Sequence, residues 1–276
     1  MLRPGPIGVF DSGYGGLTIL SEIQALMPEY DYCYLGDNSR APYGPRSFDV
    51  VYQFTRQAVE SLFDMGCNLV ILACNTASAK ALRTIQQNDL PHINPDKRVL
   101  GVIRPTAEII GEITKTRHVG ILGTSGTIQS KSYPIEINKL FPDIKVTGEA
   151  CPMWVPLVEN GEYKYEGADY FIQKSLNNIL SKDPEIDTLI LGCTHYPLLL
   201  DKINKFLPKG VQALPQGGYV ARSLQDYLSR HPEMDNVCTK GGTTHYFTTE
   251  SPEKFSDTAT IFLNREIEVD RVILGE

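Results

Sequence analysis

Apolar runs of four to six residues alternate along the chain with segments whose apolar positions recur at helical spacing. This pattern predicts an α/β protein with mainly parallel sheets. The strand candidates are IGVF (7–10), YCYL (32–35), LVILA (69–73) and RVLGVI (98–103), followed by HVGILG (118–123), KVTGE (145–149), TLILG (188–192) and VQAL (211–214). They fall into two sets of four that resemble each other. Gly8 and Gly120 lie 112 apart in matching contexts, Arg98 and Val211 lie 113 apart, and Cys74 and Cys193 lie 119 apart. A repeat of that length predicts two similar, pseudo-symmetric α/β lobes rather than a solenoid, whose period is far shorter.

A helical stretch follows each fourth strand, TAEIIGEI (106–113) in the first half and YVARSLQDYL (219–228) in the second, and each is expected to carry the chain between lobes. A late strand, THYFTT (244–249), and a final helix, PEKFSDTATIFLNREI (252–267), are expected to return to the first lobe. The expected division is residues 1–102 with 216–276 in one lobe and 103–215 in the other. Ligands of such sheets bind beyond the carboxyl ends of the strands, so the site belongs in the cleft between the lobes.

Composition narrows the function classes. The 276 residues are 42% hydrophobic, enough for a well-packed interior, and no run approaches the roughly 18 apolar residues of a membrane span. The first residues lack the apolar core of a secretory signal, so the expected location is the cytoplasm and no membrane association is expected. A net charge of −7 without a Lys/Arg block argues against nucleic acid as a partner. The six cysteines include no CxxC pair, and Cys193 and His195 lack a second ligand pair at zinc-finger spacing, so neither a disulfide scaffold nor a metal site is expected. Cys33, Cys67, Cys151 and Cys238 read as core thiols.

The remaining two cysteines differ. LVILACNTASAKAL (69–82) and TLILGCTHYPLLL (188–200) each run from an apolar strand through a small residue to a cysteine, then into a probable helix. A helix N-terminus favours thiolate, so both Cys74 and Cys193 are candidate bases or nucleophiles. His195 lies in the same turn as Cys193 and is suited to exchange a proton with a neighbour. In FDSGYGGL, Asp11 and Ser12 end the first strand before a glycine turn, where an acid suits proton transfer or an ammonium group; Thr18 occupies the position where a dinucleotide fingerprint needs glycine. Pro42 and Gly44 fix the loop around Tyr43, and GTSGTIQS offers Thr124, Ser125 and Thr127 as hydroxyls at a helix start. In LVENGE the choice between Glu159 and Glu162 is open from the residues alone.

Taken in order, FDSGYGGL, PYG, ACNTAS, LVENGE and GCTHYPLL resemble the glutamate racemases of the cofactor-independent aspartate/glutamate racemase superfamily over nearly the whole chain. The resemblance implies that Cys74 and Cys193 are catalytic thiols on opposite faces of a glutamate substrate, assisted by Asp11 and His195, with Glu159 as a further acid. It implies substrate contacts from Asp11, Ser12, Pro42, Tyr43, Gly44, Asn75, Thr76, Thr124, Thr127, Thr194 and His195. No pyridoxal phosphate or metal is implied; a homodimer is an assembly the resemblance allows, and D-glutamate for peptidoglycan is the implied product. Cys74 is implied to take the proton from D-glutamate and Cys193 from L-glutamate. Tyr14, Arg104 and LPQGGYVA (214–221) depart from the familiar pattern, and activation through an N-terminal extension is not expected. The alternatives are an aspartate racemase, a non-catalytic amino-acid-binding regulator, and a hydrolase using one cysteine, which leaves the second thiol without a role.

Overall fold

The structure is a computed structural model that describes residues 2–275. Two wholly parallel sheets organise it. The strands are β1 (Ile7–Asp11), β2 (Tyr32–Gly36), β3 (Leu69–Leu72), β4 (Arg98–Gly101), β5 (His118–Gly123), β6 (Lys145–Ala150), β7 (Thr188–Gly192), β8 (Gln212–Leu214), β9 (Thr244–Thr248) and β10 (Val269–Arg271). The second sheet has the order β6-β5-β7-β8, and the first contains the same order, β2-β1-β3-β4, extended by β9 and β10 at its β2 edge. The repeat read from the sequence is therefore a repeat of topology.

The central strands are hydrophobic along their whole length because helices cover both faces. Every residue of β1, β2, β3 and β7 is buried. Strand ends differ slightly from expectation. Val102 caps the helix Ile103–Ile113, so that helix starts where the apolar run RVLGVI still suggests strand. An apolar run by itself does not distinguish a strand end from the first turn of a buried helix.

The C-terminal segment returns to the first lobe. β9 lies parallel to β2 in the register Tyr32 with Thr244 through Gly36 with Thr248. Ser251 caps the next helix by accepting from the Lys254 N–H, and Pro252 occupies its first turn, where a missing N–H costs nothing. This helix ends at Leu263, four residues short of the expected end, because Asn264 turns left-handed (φ 52°) and releases the chain into β10, a strand too short to be read from periodicity.

Tyr14 seats this helix. It is buried, with its ring 5.1 Å from Phe255 and stacked on Phe262 at 6.2 Å. Tyr34 also meets Phe255, at 6.2 Å. Arg104 ties the helix Ile103–Ile113 to its neighbour Ser132–Leu140, since it reaches Glu108 at 2.8 Å and Glu136 at 3.4 Å. Two of the three departures in sequence are thus packing elements. Among the described residues no helix is long and apolar enough to cross a membrane.

Phe255 is fully buried at the junction of the returning helix with the first lobe. Phe255→Ala is expected to cost about 3–5 kcal/mol in denaturant unfolding, the range for a large aromatic removed from a packed core; a loss under about 1 kcal/mol would mean that the returning helix is not integral to this lobe.

Candidate active site

The carboxyl ends of β1, β3, β5 and β7 converge, and each delivers one of the motifs. Asp11 is the last residue of β1 and is 1% exposed. The Gly13 N–H donates to its Oδ2 at 2.8 Å, which holds the carboxylate across the turn. Burial raises the Asp11 pKa, and the His195 charge and backbone N–H groups offset part of that rise. The strand end then touches both cysteine motifs: the Cys74 thiol donates to Ser12 Oγ at 3.4 Å, and the Thr194 hydroxyl lies 3.5 Å from Asp11 Oδ1.

Glycine makes this approach possible. A Cβ on Gly15 would lie 2.1 Å from Thr194 Oγ1 and 2.4 Å from His195 Nδ1. Thr18 adds a clamp, because its hydroxyl donates to the Thr194 carbonyl at 2.9 Å. The threonine that breaks the dinucleotide fingerprint thus holds the second cysteine loop.

The two thiols are equally buried, 6% exposed each, but differ in surroundings. Cys74 caps the helix Asn75–Lys80, and its sulfur accepts from the Ala77 N–H at 3.4 Å. The expectation that this helix end lowers the thiol pKa is not met: burial, together with the nearby Asp11 and Cys193 charges, pushes it up to about 12 against the Ser12 and Ala77 hydrogen bonds. Cys74 keeps its proton at neutral pH. Cys193 is followed first by a single 3-10 turn, Tyr196–Leu199, with the α-helix starting only at Leu200, so it lacks the expected α-helical N-terminus. Its charged neighbour is His195, whose Nδ1 lies 3.9 Å from the sulfur.

Glu159 completes this side. It ends the helix Trp154–Glu159 and meets His195 Nε2 at 2.8 Å, whereas Glu162 is exposed. Burial acts to lower the His195 pKa, but the hydrogen bonds and charges of Cys193 and Glu159 outweigh it and raise it to about 10. Phe262, on the returning helix, stands edge-on to the imidazole at 5.4 Å.

The hydroxyl groups gather where the lobes meet. Thr76 Oγ1 lies 2.9 Å from Thr124 Oγ1 and 3.3 Å from Thr127 Oγ1, at the starts of helices from different lobes. Thr124 caps its helix, with the Thr127 N–H donating to it at 3.3 Å. The PYG loop joins the same seam: Gly126 N donates to the Gly44 carbonyl at 2.9 Å, and the buried Tyr43 hydroxyl donates to Asp37. Pro42, after a cis peptide bond, is exposed and the most peripheral of the expected contacts. Asn75 is buried and hydrogen-bonded to Gln216 and Tyr133, two residues that sequence reading did not single out for the site. The only hint was the unusual LPQGG segment around Gln216.

Among the described residues no group of three or more His, Cys, Asp or Glu side chains is arranged to hold a metal ion. A cavity of about 600 Å³ opens elsewhere between the lobes, lined by residues that include Ser78, Arg83, Arg104 and Tyr227 but neither thiol.

The sequence profile of the Asp/Glu/Hydantoin racemase family matches residues 17–215. The chain belongs to this family. Among members of this racemase family, the glutamate racemase of Roseobacter denitrificans is 41% identical over 272 residues, covering 95% of this chain and 98% of the relative. The crystal structure of a glutamate racemase isoform from Bacillus anthracis superposes with a TM-score of 0.88 at 36% identity, covering 98% of this chain and 97% of the other. That of the Francisella tularensis glutamate racemase in complex with D-glutamate gives 0.86 at 31% identity, covering 99% and 98%.

The imidazolium form of His195 is the one the fold favours, so its contribution to stability is complete below the ordinary value of 6.5 and is lost as pH rises through about 10. Side-chain NMR titration of His195 is expected to show a midpoint near 10 in the wild type and a clearly lower one in Glu159→Gln; an unchanged midpoint would remove Glu159 from the account.

Proposed function

We propose that this chain interconverts L- and D-glutamate by a two-thiol mechanism and supplies D-glutamate for peptidoglycan. Membership of the racemase family and the 41% identity to a glutamate racemase support the reaction and the substrate over a non-catalytic regulator. The observation that carries the mechanism is that one strand end, Asp11–Ser12, touches both cysteine motifs, so two sulfurs from corresponding strands border one cleft. The division that goes with it is residues 1–102 with 216–276 in one lobe and 103–215 in the other, supported by the strand content of each sheet.

Inversion at an α-carbon needs a base on one face and an acid on the other. Cys74, protonated and donating to Ser12, is the acid for an L-glutamate turnover. Cys193 is the base of this turnover, with the His195 ring 3.9 Å from its sulfur. Removal of the α-proton by Cys193 and delivery of the Cys74 proton to the opposite face give D-glutamate, and the roles then stand reversed. The return reaction runs the same steps backwards, with Cys74 as the base.

The α-proton is a poor acid, so the developing carbanion needs nearby positive charge and donors. The substrate ammonium, held at Asp11, supplies the first. The seam of Thr76, Thr124 and Thr127, with Asn75 and Thr194, supplies neutral donors for the carboxylates. Ser12, Tyr43 and Gly44 close the first-lobe side, and Glu159 keeps His195 protonated and oriented. Neither pyridoxal phosphate nor a metal enters this scheme.

Proton NMR of L-glutamate with the purified protein in D₂O is expected to show loss of the α-proton signal while optical rotation falls toward zero. Cys74→Ala and Cys193→Ala are each expected to abolish racemisation; wild-type rates in either would refute the two-base scheme. Exchange of L-aspartate alone would transfer the reading to the shorter substrate.

A further inference from the structure

Asn75 sits in a closed ring of three hydrogen bonds that spans both lobes. Its Nδ2 donates to Gln216 Oε1 at 2.9 Å, Gln216 Nε2 donates to the Tyr133 hydroxyl at 2.5 Å, and that hydroxyl donates back to Asn75 Oδ1 at 2.6 Å. All three side chains are at most 2% exposed. Gln216 Nε2 also reaches Thr106 Oγ1 at 2.9 Å and the Val102 carbonyl at 3.3 Å. The ring therefore joins the start of helix Asn75–Lys80, the helix Ser132–Leu140 of the second lobe, and both chain segments that cross between lobes.

The donors and acceptors permit one orientation. The Val102 carbonyl only accepts, so it fixes which end of Gln216 is the NH₂; flipping the Asn75 amide would then set its oxygen against Gln216 Oε1 and its NH₂ against a hydroxyl that already accepts from Gln216, leaving buried groups unmatched. Burial pushes the Tyr133 pKa far above the ordinary value, so the hydroxyl stays a donor. With Oδ1 held by Tyr133 and one Nδ2 hydrogen by Gln216, the second Nδ2 hydrogen is the side-chain donor Asn75 has left to offer. Asn75 directly follows Cys74, so that hydrogen belongs to the neighbourhood of the reacting sulfur.

We infer that Tyr133 and Gln216 are positioning residues that hold the Asn75 amide with an N–H available to a carboxylate of the bound amino acid. This rests on the glutamate reading above. Gln216 suits the task in a way an acid does not, since a carboxylate at this position accepts from Asn75 but has no N–H for Tyr133 and Thr106.

The test is a double-mutant cycle on the full chain with Tyr133→Phe, Asn75→Ala and the double variant, reading D-glutamate affinity by calorimetry and KM and kcat in both directions. Tyr133→Phe is expected to weaken affinity and raise KM about five- to tenfold with kcat nearly unchanged, the scale of one lost hydrogen bond. In the Asn75→Ala background it is expected to change neither, because the residue it acts through is gone. An equal effect in both backgrounds, or a fall in thermal stability with KM unmoved, overturns the positioning role. Should Tyr133→Phe not yield folded protein, Gln216→Met carries the same cycle. A wild-type protein that neither binds nor racemises glutamate overturns the functional reading and this role with it, whereas normal wild-type racemisation with an equal effect in both backgrounds overturns this role alone.

Discussion

Gly15 has no side chain, and the second lobe fills the space one would occupy. A single methyl there would lie within 2.4 Å of both Thr194 Oγ1 and His195 Nδ1, atoms of the loop that carries Cys193. Two contacts between the lobes follow from that approach: it lets Thr194 reach Asp11 and lets Thr18 clamp the Thr194 carbonyl. Gly16 serves the same turn, since a Cβ there would lie 2.5 Å from the Asp11 Cβ. Gly15 thus sets how closely the lobes meet, and Gly16 how tightly the turn closes on Asp11.

At that distance, two thiols with similar burial acquire different chemistry from their neighbours alone. Cys74 lies near the Asp11 carboxylate, and burial with that negative charge keeps its proton on. Cys193 has a histidine whose own proton is secured by a glutamate from another helix. The repeat supplies two like sulfurs, and the positions at which its two halves differ give them unlike neighbours. The proposed scheme uses this difference in surroundings to tell its two thiols apart.

Much of this was legible in the sequence because buried parallel strands are apolar runs and the cysteine motifs sit at their ends. All eight candidate strands of the two repeats form, and the late strand joins the first sheet as expected, where it pairs with β2. The residues alone left Glu159 and Glu162 equal, because both lie beside one turn; the family resemblance named Glu159, and it is Glu159 that meets His195. The supposed thiolate at Cys74 failed for a related reason: a helix N-terminus is visible in sequence, whereas complete burial next to Asp11 is not. Gln216 and Tyr133 were passed over since neither stands in a motif, and their link to Asn75 arises from segments 58 or more residues apart.

The arrangement of strands also dictates an order of assembly. β5 to β8 are consecutive between His118 and Leu214, so the second sheet is complete as soon as that stretch has been made. The first sheet is not, because β2 receives its outer neighbour only from Thr244–Thr248, more than two hundred residues later. During synthesis the β2 edge stays uncovered after the second sheet has closed, and an unpaired edge invites pairing with other chains. Parallel pairing over such a separation is slow, since the entropy of closing the loop must be overcome before any contact rewards it. The last strands and the helix that Tyr14 anchors are therefore what brings the growing chain out of its aggregation-exposed stage.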